Sequence, residues 1–103
     1  TSNVLIKWHL RIIPNHDGGG FLIDGLAGAH HFEKFQEADQ FAREELVVLV
    51  REQARLAGTS SREVEVETHD NITAAADGKK VFLNRSIKAK LMGKPDSALL
   101  VAN

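Results

Sequence analysis

The chain has no cysteine and no tyrosine, one tryptophan, one methionine and two prolines in 103 residues. Without cysteine there are no disulfides, no thiolate metal sites and no cysteine nucleophile. That pattern is compatible with the cytosol and gives the expected location, cytoplasmic. The longest uninterrupted apolar run, Leu46 to Val50, is far too short to cross a bilayer. No basic and apolar leader opens the sequence, so neither a targeting segment nor a membrane role is expected. A basic excess is missing too. Thirteen Lys and Arg stand against 14 Asp and Glu, which gives no general reason to expect a phosphate-rich partner.

What is present is ordinary for a folded domain. The hydrophobic share of 43% and charged share of 26% are close to globular averages. The length suits one hydrophobic core, and residues 1–95 are read as a single domain followed by a tail, 96–103. Within that tail Leu99, Leu100 and Val101 are apolar enough to dock.

Val4, Ile6, Trp8, Leu10 and Ile12 alternate with a mostly polar set, the period of a strand with one face buried. Trp8 falls on the face assigned to the core. Pro14 ends that run, and Asn15 to Gly20 reads as a turn leading into a second strand at Phe21 to Ile23. A third strand is expected from about Ala29 to Phe32. From Gln36 to Ala57, Ala38, Phe41, Ala42, Leu46, Leu49 and Val50 recur at helical spacing. Acidic residues lie early in that helix, Arg51 and Arg55 late, and Gly58 just beyond it. Val47 and Val48 widen the apolar surface past one stripe and mark a candidate interface.

After the polar link Thr59-Ser60-Ser61, Val64, Val66 and Thr68 alternate with Glu63, Glu65 and Glu67 in a further strand. Asp77-Gly78 is a tight-turn pair between two extended runs. Residues 84–92 read equally as a short helix or as a continuing strand. The expected architecture is α+β: a small antiparallel sheet, β-β-(β)-α-β-(β), packed on one long central helix.

Chemistry is thinly signalled. His30, His31 and His69 with Asp24 and Asp70 have the ligand types for zinc or another divalent ion, but not the spacing of a structured metal motif. His30 and His31, adjacent on a strand, would face opposite ways. Ser60 or Ser61 with His69 and Asp70 lacks a nucleophile elbow. Asp17 to Gly20 follows a strand as phosphate loops do, yet leads to another strand and has no Gly-Lys-Ser/Thr ending. Lys79, Lys80, Arg85, Lys88 and Lys90, with Lys94, form the one basic concentration. Aromatics are not interleaved with it, as RNA-binding sheets would require. No motif calls for a cofactor.

Gly20-Phe21-Leu22-Ile23-Asp24-Gly25-Leu26-Ala27-Gly28, followed by Glu37-Ala38 and Phe41-Ala42-Arg43-Glu44, resembles the N-terminal domain of HicB-type antitoxins. The similarity spans Lys7 to Val50, with Ala27 at the family's proline and Gly25 inserted before Leu26. It implies a sheet covered by a helix and an antitoxin role. No ribbon-helix-helix or helix-turn-helix pattern, with which such antitoxins bind operators, follows it. The leading expectation is therefore a non-catalytic interaction or scaffold module acting as a homo-oligomer. A metal- or small-molecule-binding protein, possibly enzymatic, and a nucleic-acid-binding regulator stand behind it.

Overall fold

A computed structural model describes residues 3–58 and 63–93. The link 59–61 and the expected tail 96–103 lie outside the described residues. The elements run β1 (Asn3–Pro14), β2 (Phe21–Asp24), β3 (His31–Phe32), α1 (Phe35–Leu56), β4 (Val64–Ala74) and β5 (Lys80–Gly93). All strand pairs are antiparallel, in the order β3-β2-β1-β5-β4. The class expected from the sequence, α+β with one antiparallel sheet and one helix, is the one observed. The helix is central only in sequence, for it lies on one face of the sheet. No helix among the described residues is long and apolar enough to cross a membrane.

Alternation explains the strands. Leu10, Ile12, Ile23, Ile87, Ala89 and Leu91 point to one face and are buried there. Residues 84–92, open between helix and strand in the sequence, are strand. Ile87, Ala89 and Leu91 alternate with Ser86, Lys88 and Lys90, a period that a helix would scatter around its axis. Against this face α1 buries Ala38, Ala42, Leu46, Val50 and Ala54, every fourth residue for four intervals. Three of the five are alanines, so the helix axis sits close to the sheet. Trp8, expected in the core, instead keeps 37% of its surface exposed.

α1 is capped after Leu56 by Ala57, whose N–H donates to the Gln53 carbonyl at 3.0 Å, and Gly58 follows at φ 79°. The β1–β2 connection is set by Asn15. Its backbone N–H donates to Gly20 O at 2.9 Å, while its side-chain amide donates to Gly19 O at 3.0 Å. Gly20 has φ 76°, and a Cβ there would lie 2.5 Å from Phe32 O and 2.7 Å from His31 Nε2. Gly18, also at positive φ, faces open space. Gly20→Ala is therefore expected to cost about 2–3 kcal/mol and Gly18→Ala about 1 kcal/mol. Chemical denaturation of the two variants side by side checks the order.

The β4–β5 hairpin outruns the rest of the sheet. β5 pairs with β1 only up to Arg85, opposite Ile12, whereas its pairing with β4 continues to Lys80 opposite Ala74. Two features release it there. Pro14 offers no N–H to a neighbour, and the register shifts between Asn71 and Ile72, leaving Leu83 without a Cα partner. Beyond that point the sheet is a two-stranded ribbon closed by Ala75–Lys79, with Gly78 N donating to Ala75 O at 2.9 Å. Asp77-Gly78 occupies this turn as the sequence suggested.

Candidate functional site

With α1 on one face, no element among the described residues covers the other face of the sheet, and register decides what stands on it. Cα partners across antiparallel strands share a face. One row across the sheet is Lys7, Lys90, Glu65; the next is His9, Lys88, Glu67; the next is Asp24, Arg11, Ser86, His69. A concavity of about 650 Å³ on this face is lined by Lys7, His9, Glu67, His69, Ser86 and Lys88, among others. Arg11 is committed to Asp24, with Nη2 2.5 Å from Oδ2. Lys90 is committed to Glu67 at 2.9 Å, and that ammonium donor holds the Glu67 carboxyl below its ordinary value. Lys7 and Lys88 have no ion pair among the described residues.

The opposite, helix-bearing face carries a different group near the root of the ribbon. Arg85 grips Asp70 with both ends of its guanidinium, Nε to Oδ1 at 2.6 Å and Nη2 to Oδ2 at 2.9 Å. Its Nη1 donates to Asp39 on α1 at 3.2 Å, and its charge lies 4.7 Å from the Phe35 ring centre. Phe35 also meets Phe21 and Phe82 edge-on at 5.3 and 5.4 Å. With Pro14 these rings line a shallow apolar groove floored by Asp70 and Arg85. Farther out on the ribbon, Ile72, Val81 and Leu83 are 55%, 41% and 47% exposed.

The Arg85 hydrogen bonds lower the Asp70 carboxyl and raise the guanidinium. A carboxyl whose folded value lies below its unfolded one stabilises the fold above the unfolded value, near 4, and loses that contribution as pH falls through the folded value. Arg85→Gln is therefore expected to cost about 1–2 kcal/mol at pH 7, discounted for the partly exposed pair. The gap to the parent closes as pH falls through the lowered folded value of Asp70, because the carboxyl is then neutral in both proteins. Urea titrations at pH 7 and at low pH measure it.

The residues singled out in the sequence are dispersed. His30 sits against Phe41, ring centres 5.0 Å apart, with Nε2 3.1 Å from Ala27 O. His31 is on edge strand β3, its Nε2 2.9 Å from Gly19 O. His69 is on β4, the opposite edge, while Asp24 and Asp70 are held by arginines. Among the described residues no three His, Asp or Glu side chains are grouped to hold a metal ion. The basic concentration divides as well. Lys79 and Lys80 lie at the ribbon tip, Arg85 faces the helix, and Lys88 and Lys90 stand on the open face. On α1, Val47 is half-buried and Val48 is 60% exposed on the side away from the sheet. In the sequence Lys7 and His9 are only the polar half of an alternating strand and carry no motif. Outward alternation of β1 and β5 was the signal, but it needs the pairing to become a site.

Fold and surface together define an α+β domain with one helix-covered sheet face, one polar open face and a projecting ribbon. Comparison with family models, with curated proteins and with solved structures finds no match.

Proposed function

We propose that this domain is a non-catalytic interaction module that works as a homo-oligomer, with the outer part of the β4–β5 ribbon as its main contact. The observation that carries the reading is the exposure of Ile72, Val81 and Leu83 on a two-stranded ribbon. A ribbon of two strands is marginal in water unless something packs on it. Large apolar side chains grouped on a projecting element mark a contact surface more strongly than scattered ones. Val48 is of the scattered kind, ringed by Glu44, Glu45, Arg51 and Glu52 at helical neighbour spacing. It is a secondary contact at most, and Val47 is half-buried.

A two-fold contact doubles every residue. Val81 and Leu83 share one face of the ribbon, while Ile72 stands with Phe82 on the other, so covering half of each of four side chains contributes about 1 kcal/mol apiece, or about 4 kcal/mol. Against the freedom lost on association, these magnitudes favour a dimer of micromolar rather than nanomolar strength. Sedimentation between about 10 and 500 μM is therefore expected to show mass rising with concentration. A strict monomer throughout that range removes the reading.

The HicB-like resemblance covers β1 to α1 and supports binding rather than catalysis. It supports an operator-binding role less, since after α1 the described residues contain β4 and β5 and no further helix.

A further inference from the structure

We infer that the open face of the sheet carries a separate binding site for a small, multiply charged phosphate-type anion, centred on Lys7, His9 and Lys88. The inference does not depend on self-association, because the ribbon and this concavity are different surfaces.

The first support is an unfavourable arrangement in the protein alone. Lys7 is the Cα partner of Lys90, so two ammonium groups are set opposite one another, and in the next row His9 is the partner of Lys88. Like charges directly opposite in a sheet repel. Lys90 is drawn off to Glu67, which also stands opposite Lys88 and feels its charge; one carboxylate thus faces two ammonium groups, and Lys7 has no ion pair among the described residues. An anion seated over His9 turns that repulsion into attraction. The second support is the donor set around the same hollow. Ser86 offers a hydroxyl and His69, its Cα partner, an imidazole. With the two ammonium groups and His9, five donor residues converge on a concavity of about 650 Å³, within the range of small-ligand sites. The carboxylates on the face do not close it. Glu67 is occupied by Lys90 and Asp24 by Arg11, and Glu65 stands at the far end of the Lys7–Lys90 row on the outermost strand.

The face also says what the ligand is not. The rows Lys7-Lys90-Glu65, His9-Lys88-Glu67 and Asp24-Arg11-Ser86-His69 hold no Phe, Tyr or Trp, and Trp8, which borders the concavity, belongs to the alternate set of β1, so stacking is secondary to charge here. The site reads charge, and pyrophosphate is its simplest probe.

The test is a titration of the full chain with pyrophosphate at low salt, following the five histidine rings by NMR. His9 and His69 are expected to shift together, while His16 and His30 stay in place. Lys7→Gln and Lys88→Gln should each weaken binding about fivefold or more, and Lys79→Gln with Lys80→Gln at the ribbon tip less than about twofold. Circular dichroism confirms that the variants are folded. If ADP shifts the same two rings as strongly, the natural ligand is a nucleotide's diphosphate; if pyrophosphate alone does, it is the free anion. Silence of His9 and His69 up to about 10 mM pyrophosphate overturns the proposal. So does equal weakening by the tip lysines, or tighter binding of a short single-stranded oligonucleotide than of pyrophosphate.

Discussion

Ile87→Ala is expected to destabilise the domain by about 3–4 kcal/mol, enough to remove a large part of the total stability of a chain this size. Ile87 lies on β5, the second-to-last strand of the sheet, with Leu10 beside it on β1 and Thr68 on β4. It is fully buried, as are Leu10, Leu46 and Val50. Removing three carbons there loses their transfer energy and leaves a hole that the sheet backbone cannot close, since both neighbouring strands are pinned by their ladders. The seam on α1 cannot close it either, because its alanines already bring the helix near. Thermal or urea unfolding followed by far-UV circular dichroism measures the loss. A change under about 1 kcal/mol would mean that the helix seats elsewhere on the sheet.

The second large effect is on association. Val81→Thr combined with Leu83→Glu is expected to leave a monomer at concentrations where the parent protein self-associates, weakening the dimer at least about a hundredfold. Both side chains are substantially exposed, so in a monomer their replacement should change stability by no more than about 0.5 kcal/mol. Sedimentation and unfolding measured together separate the cases. Loss of association with unchanged monomer stability identifies the ribbon as the contact. Unchanged association places the contact elsewhere, and Val48→Glu then becomes the informative variant.

How much of this was legible depends on which scale of order a residue obeys. β1 and β4 were readable because Val4 to Ile12 and Glu63 to Thr68 keep a strict two-residue period. The helix was readable because Ala38, Ala42, Leu46, Val50 and the C-terminal Gly58 all agree. The helix begins and ends one residue earlier than expected, a difference that assignment alone produces. Residues 84–92 stayed open because Lys88, Ala89 and Lys90 suit a helix locally, and only β1 and β4 on either side make the strand. The candidate surfaces were legible in part. Arg85 and Lys88 looked like members of one basic run, yet three residues apart on a strand they face opposite ways. Lys7 and Lys88 looked unrelated, and antiparallel register brings their rows together. Leu83 is exposed because of the irregularity beside it, which no alternation rule anticipates.

The pairing of β1 with β5 has a consequence for how the chain comes to be folded. β1 occupies the middle of the sheet, and its partner on one side is the last strand described, with Leu10 beside Ile87. About 80 residues separate the two, so on a ribosome adding about 5–20 residues per second β1 waits roughly 4–16 s for that neighbour. Until then Leu10 and Ile12 have only the short β2 and the nascent helix to shelter them. Closing so long a loop also makes the step slow. The sheet cannot assemble outward from its first strand as synthesis proceeds, and its centre is completed only when β5 has emerged. Slow synthesis therefore lengthens the exposure of β1, and a chaperone that holds extended apolar segments would find it there.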